Sequence, residues 1–370
     1  MTRLRIARRK EIPDAHAWGI RVAAFLAALV IGGLLIVSLG HNPFAVYWEM
    51  IDSVFGGRIG FNATVRIFVP LLGAAMSVGL AFKMRFWNIG AEGQMIMGGV
   101  AATYFALFQA DALPRPILLI VMGIAALIVG GLWGFIPAFF RAHWGTNETL
   151  FTLMLNYVAL GVVMYLQSGP WQSDLFAGFP MMDMFPPIAR LPLVFGIHIG
   201  WIMVLILVIL VYFYMAKSKQ GYQLAVVGES ENTARYAGMN VRRILMRTLF
   251  ISGAIAGLAG FWLVSGSHFT LNETTVGGIG FTAIIVAWLA RLNPLFMVPV
   301  AALIAILERG STRIQTAFSI PDTIAEVLIG IILFAMLASE FFIQYRVVKK
   351  SKDENLGALP QTPQGETSSP

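Results

Sequence analysis

The sequence predicts an all-α protein that crosses a membrane many times, with about ten transmembrane helices, and three observations carry that prediction. Of 370 residues, 58% are hydrophobic, 12% are charged and 37 are glycine, a balance too apolar for an ordinary soluble domain. Stretches without Asp, Glu, Lys or Arg run on unbroken and are mostly long enough to cross ~30 Å of hydrocarbon as helices. A membrane β-barrel would instead alternate in polarity over segments of about ten residues. The basic residues sit between these runs and do not interleave with aromatics on one soluble face, so the net charge of +7 reads as the positive-inside bias and not as a nucleic-acid surface. The absence of cysteine excludes disulfides, thiol chemistry and Cys-ligated metals.

Taken in order, residues 1–16 form a basic arm with Arg3, Arg5, Arg8, Arg9 and Lys10, followed by an uncharged run from Val22 to Trp48. That run is too long for the apolar core of a signal peptide, about 7 to 15 residues, so it predicts a first span with a cytoplasmic N-terminus. Further uncharged runs cover 67–82, 93–110, 116–140, 149–173, 191–216, 248–272, 274–290, 292–307 and 327–339. The last is the shortest, and it reaches bilayer length by taking in Asp322 and Glu326. Threading ten spans from a cytoplasmic N-terminus puts 20 of the 26 Lys and Arg residues on the cytoplasmic side, which is the asymmetry that orients helices during insertion. The transmembrane domain is thus expected over 17–345, with both termini inside and a disordered cytoplasmic tail over 346–370 that lacks apolar periodicity. Two connections are long. The outer one, 169–196, holds five prolines and is expected to form an ordered, non-regular cap. Within the inner one, 217–247, Ser230 can cap a short helix from Glu231 that Gly238 terminates.

The stretch Met84–Gly99, MRFWNIGAEGQMIMGG, places Asn88, Glu92 and Gln94 between two apolar runs. Polar groups in lipid need partners inside the protein, so such a break marks either a transport path or a buried capping site. Glycines 90 and 93 permit close backbone approach, and Glu92 at a helix start suits the helix dipole. Asn156 with Thr152 one turn earlier reads as pathway or as glue between helices. Phe281, Thr282 and Trp288 could stack on or bond to a planar substrate, or simply pack. Gly253 with Gly257, and the stripe Ser252, Ala256 and Gly260, signal close helix packing. TNETLFTLMLNYVALG at 146–161 and IPDTIAEVLIGIILFA at 320–335 read as a faint internal repeat running in opposite directions, as in transporters built from two inverted-topology halves. No GxxxxGK[ST] loop and no metal-ligand spacing is present, so the sequence offers no catalytic residue, no metal site and no cofactor site, and ATP hydrolysis must belong to another chain.

Several stretches together resemble one family. NIGAEGQMIMGG, NETLFTLMLNYVAL, GYQLAVVGESENTARYAGMNV, SGAIAGLAG and GFTAIIVAWLARLNPL look like consecutive signatures of the membrane permease of bacterial nucleoside-type ABC importers, within the group that includes ribose and branched-chain amino-acid permeases. The resemblance covers roughly 62–335. It implies ten helices in inverted halves in the bacterial inner membrane, a cytoplasmic ATPase subunit that binds the ATP, a second homologous permease chain, and an external receptor, lipoprotein or periplasmic, of the basic membrane protein family. Segment 229–240 is then similar to the coupling helix that docks on the ATPase. Glu229, Ser230, Glu231, Asn232, Ala234, Arg235, Tyr236 and Gly238 are its expected contacts, Ala234 and Gly238 being small enough for close seating. The alternative for this segment is a basic helix resting on anionic lipid. Asn88, Glu92, Gln94, Thr152, Asn156, Phe281 and Trp288 are the expected pathway residues. The expected substrate is a nucleoside, with a simple sugar such as ribose as the alternative. A secondary transporter is disfavoured, because it would be expected to carry ionisable residues in the middle of its spans.

Overall fold

The computed structural model describes residues 4–8, 14–174 and 178–349. It is almost wholly helical and divides into two units, one formed by the chain ends and one by Ile36–Ile329.

In the unit formed by the ends, strand β1 (Leu4–Arg8) pairs antiparallel with strand β4 (Tyr345–Lys349), from Leu4 opposite Lys349 to Arg8 opposite Tyr345. Most of helices α1 (Asp14–Ser38) and α13 (Asp322–Gln344) belongs to the same unit. Arg21 Nη2 and Glu340 Oε1 are 2.6 Å apart there. An ion pair on otherwise apolar helices satisfies two charges that lipid would penalise singly. The basic arm is therefore partly a strand, and helix α1 begins before residue 17. The tail expected to be disordered from Arg346 starts as the partner strand, and the remainder, 350–370, lies outside the described residues.

The larger unit contains α2 (Pro43–Phe55), α3 (Arg58–Lys83), α4 (Ala91–Phe108), α5 (Arg115–Trp144), α6 (Glu148–Ser168), α7 (Gly200–Lys217), α8 (Lys219–Glu229), α9 (Glu231–Tyr236), α10 (Val241–Leu263), α11 (Ile279–Leu289) and α12 (Pro294–Phe318). Asparagine or serine side chains at 42, 147, 218, 230, 240 and 293 each accept a backbone N–H of the helix they precede. Each such cap is worth about 1 kcal/mol. The core is the bundle of α3, α4, α5 and α10, with α3 and α10 buried along most of their length. Small residues set its spacing: a Cβ on Gly98 would lie 2.3 Å from Gly257 Cα, and one on Gly257 would lie 2.2 Å from the Ala126 carbonyl oxygen. Only hydrogen fits where backbone meets backbone in this way. The GxxxG stripe read in the sequence is thus the contact face of α10 with α4 and α5.

Each of the ten uncharged runs contains a helix, although the first is interrupted between Ser38 and Pro43, the sixth opens as irregular chain and a hairpin before Gly200, and the eighth is not helical before Ile279. Among the described residues eight helices are long and apolar enough to cross a membrane. Of the ten runs the two left over are α4, whose first turn carries Glu92 and Gln94, and α11, whose 11 residues span only ~17 Å. Helix α4 starts at Ala91, ahead of its run, and falls short in apolarity, whereas α11 is short because 274–278 is not helical. The outer connection is folded against the end of α10, where a π-helical turn covers Val264–His268. Phe185 N–H donates to the Phe269 carbonyl at 2.7 Å and Leu191 N–H to that of Ser265 at 3.0 Å. A two-stranded hairpin, β2 (Leu193–Val194) with β3 (Ile197–His198), leads into α7.

Candidate functional site

Two interrupted helices meet at the centre of the bundle. The chain leaves α3 at Lys83, passes Arg85 at φ +56°, runs without helical structure to Gly90 and re-enters a helix at Ala91. It leaves the π-helical turn after His268 with Phe269 at φ +59° and turns through Gly277 and Gly278 at φ +56° and +86° before α11 starts. The first N–H groups of each half-helix lack partners within that helix and carry the positive end of its dipole. Glu92, in the first turn of α4, supplies them for α11: its Oε1 accepts Gly278 N–H at 2.8 Å and its Oε2 accepts Gly280 N–H at 2.7 Å. A Cβ on Gly280 would fall 2.3 Å from Glu92 N, so glycine is required for the two helix starts to approach this closely.

The other polar residues replace the missing helical ladder of 88–93. Asn88 Oδ1 accepts Gly90 N–H at 3.0 Å and a Gln94 Nε2 hydrogen at 3.1 Å, and Asn88 Nδ2 donates to Gln94 Oε1 at 3.2 Å. Ser252 Oγ lies 3.4 Å from Asn88 Nδ2 and 3.0 Å from Ser77 Oγ, which extends the network to α10 and α3. From α6, Thr152 Oγ1 accepts Ile89 N–H at 3.3 Å. Asn156 accepts Gly93 N–H at 2.9 Å and donates to the Ile89 carbonyl at 3.0 Å. Asn88, Glu92, Gln94, Thr152 and Asn156 are all buried, so the structure gathers five of the sequence-predicted residues into one satisfied cluster.

Phe281 and Trp288 are not members of that hydrogen-bonded cluster and are 41% and 43% exposed. Trp288 stacks on Trp87, with centroids 5.7 Å apart and planes at 25°, and Phe82 lies edge-on to Trp288 at 6.0 Å. Trp87, Ser77, Gly278 and Gly280 were not singled out by sequence reasoning, and Ser252 only as a small residue. Trp87 sat inside the interrupted stretch, and the Gly-Gly pair before a helix was a legible sign of a turn.

On the face that the charge pattern assigns to the cytoplasm, α9 is capped by Ser230 Oγ, which accepts Thr233 N–H at 3.2 Å, and ends before Gly238 at φ +75°. Glu229, Asn232, Arg235, Tyr236 and Gly238 are exposed, and Ser230 and Glu231 are partly so. Ala234 is different: it is fully buried, so its methyl group faces this chain's own core and cannot be a seating surface for another subunit. Arg141 of α5 ties the region together, with Nε 3.3 Å from Glu148 and Nη2 3.8 Å from Glu231. Helix α8, within the connection 217–247, packs its C-terminal glycine on the end of α3, where a Cβ on Gly228 would lie 2.2 Å from the Lys83 carbonyl oxygen.

Residues 61–337 match the sequence family described as branched-chain amino acid transport system permease component. The chain is 32% identical over 357 residues to the glucose ABC transporter permease protein TsgB13 of Haloferax volcanii, with 93% of each chain covered. It is 29% identical to the guanosine ABC transporter permease protein NupP of Bacillus subtilis, covering 90% of this chain and 96% of that one. With the nucleoside ABC transporter permease protein NupB of Lactococcus lactis it shares 26% identity over 89% of this chain and 93% of that one. The family match includes both helix interruptions and the α8–α9 segment.

Proposed function

We propose that this chain, which belongs to the branched-chain amino acid transport permease family, is the membrane-spanning permease subunit of an ABC importer that carries nucleosides across the cytoplasmic membrane. ATP is bound and hydrolysed by a separate ATPase subunit, a second homologous permease chain completes the pore, and an external receptor delivers the substrate. The exposed residues of α9, above all Arg235 and Tyr236, contact the ATPase.

The observation that carries the nucleoside reading is the stacked pair Trp87 and Trp288, both nearly half exposed, beside a buried polar network whose single carboxylate is already partnered by backbone N–H groups. A nucleoside is neutral, with a flat base and a hydroxylated ribose, and gains from aromatic faces without needing fixed charge. The name of TsgB13 favours a sugar, whose ring also packs on aromatics but offers less flat surface.

The test is uptake by the reconstituted complex with its own receptor, comparing labelled adenosine, guanosine, uridine, ribose and glucose. Nucleoside uptake should fall about tenfold in Trp288→Ala, which removes one stacking face worth ~1–1.5 kcal/mol. Sugar uptake that excess nucleoside leaves unaffected would overturn the nucleoside assignment and leave the permease assignment standing.

A further inference from the structure

A cavity of about 710 Å³ opens where α3 and α7 end and α8 begins, lined by Lys83, Lys217 and Lys219 together with Met215, Tyr222 and Met239. Its remaining lining residues include no Asp or Glu. Among the described residues none of the three lysines forms an ion pair, and all three are exposed. A neighbouring cavity of about 480 Å³ differs in having a carboxylate in its wall: Glu231 is bridged there to Arg141 and Arg235, and Arg242 also lines it.

We propose that the cavity formed by Lys83, Lys217 and Lys219 binds the phosphate-bearing head group of an anionic phospholipid of the cytoplasmic leaflet. Position argues for lipid: Lys83 and Lys217 are the last residues of two spans, which is the depth of the head groups. Charge argues for an anion, since three uncompensated ammonium groups converge on one cavity. The apolar share of the wall argues for a lipid over free phosphate, because Met215, Ala216, Ala225 and Met239 offer nothing to a hydrated ion and suit a glycerol backbone and the first methylenes. Arg247, whose guanidinium donates to Gln223 in the wall at 3.2 Å, adds a fourth positive charge behind it. A bound head group would join the end of α3, which leads into the interrupted segment, to α8, which leads into α9.

The proposal does not depend on the substrate and is tested by binding. The detergent-purified importer complex is titrated with dioctanoyl phosphatidylglycerol, dioctanoyl phosphatidylcholine and inorganic phosphate, followed by native mass spectrometry and thermal shift. Phosphatidylglycerol should bind and raise the melting temperature, and the other two should not. Near a membrane surface each lysine contributes about fivefold to anionic-lipid affinity, so Lys83→Ala with Lys217→Ala and Lys219→Ala should weaken binding on the order of a hundredfold. The corresponding triple arginine variant keeps the charge and should keep binding, which separates lost charge from lost fold. Arg242→Ala with Arg243→Ala, outside the cavity, should change binding by less than about fivefold. Equal binding of phosphatidylcholine, or of phosphate alone, would overturn the proposal. So would a triple alanine variant that sheds the ATPase subunit while its lipid binding is unchanged, since the face would then be a protein-docking surface.

Discussion

Replacing Glu92 by glutamine asks whether one carboxylate fixes the start of α11. The carboxylate accepts two backbone N–H groups at 2.8 and 2.7 Å and is 8% exposed, so solvent screens these bonds little. A hydrogen bond to a charged group is worth ~1.5–3 kcal/mol, and a buried donor left without a partner costs ~1–3 kcal/mol. Glutamine retains the shape but presents one oxygen and one NH2 to two donors. One bond therefore loses its charge and the other becomes a donor facing a donor, for a combined cost of about 3 kcal/mol. That energy holds a local segment, so it should emerge as local opening and not as global unfolding. Hydrogen exchange of the complex in nanodiscs reads it directly, because the amides of Gly278 and Gly280 are the ones released. Their exchange should accelerate on the order of a hundredfold, the equivalent of about 3 kcal/mol, while peptides from α9 exchange as before. Glu92→Asp, one methylene shorter, should reach one donor and fall between. Exchange at 278–280 within about threefold of the parent, in a variant that inserts normally, would refute the reasoning.

Asn156→Ala strips the partner from Gly93 N–H and from the Ile89 carbonyl. It should cost ~2–4 kcal/mol and loosen 89–93 in the same exchange experiment. Gly257→Ala drives a methyl group against the Ala126 carbonyl oxygen, 2.2 Å away. It should cost at least ~2 kcal/mol, read as a melting temperature lower by several degrees. Tyr236→Ala removes a side chain that is 93% exposed, so the isolated permease should keep its melting temperature to within about 0.5 kcal/mol, while co-purification of the ATPase falls. His198, in the hairpin before α7, is fully buried with both ring nitrogens unpartnered among the described residues. Burial, reinforced by the charge of Arg66, lowers its pKa to about 4. Because the folded pKa lies below the unfolded value of ~6.5, stability should be constant above that pH and decline by ~3 kcal/mol as the pH falls to about 4. His198→Asn should flatten that decline in a melting-temperature series.

The spans were legible because lipid leaves one solution for the backbone, and every uncharged run contains a helix. The stretch MRFWNIGAEGQ was legible as an interruption, since Asn88, Glu92 and Gln94 violate the pattern around them. Its counterpart at 269–278 was not, because Asn272, Glu273 and the paired glycines resemble an ordinary loop between two spans. The Glu92 contact with Gly278 joins residues 186 apart in sequence, and no local pattern encodes such a pairing. Ala234 failed for another reason: small residues on a short helix fit tight seating equally well on a partner or on the helix's own chain, and only burial decides between them. Trp87 was hidden by its surroundings, since one more aromatic near a span's end carries no local sign of a partner, and its stacking partner Trp288 lies far along the chain.

The charge balance of the crossing follows from the same geometry. Each half-helix brings to its N-terminus the equivalent of about half a positive charge, and Glu92, in the first turn of α4, sets both side-chain oxygens against the first N–H groups of α11. The positive end of α11 therefore faces an acceptor that the protein itself supplies. Transporters that carry anionic substrates can leave a half-helix N-terminus free for the substrate's own charge. Here the protein's carboxylate occupies that place. The remaining polar side chains at the crossing, Asn88, Gln94, Thr152 and Asn156, are neutral, and each is bonded to backbone or to a neighbour. A permease organised in this way is suited to a neutral hydroxylated solute, and it gives α11 a fixed starting point from which Phe281 and Trp288 hold their exposed positions two turns apart.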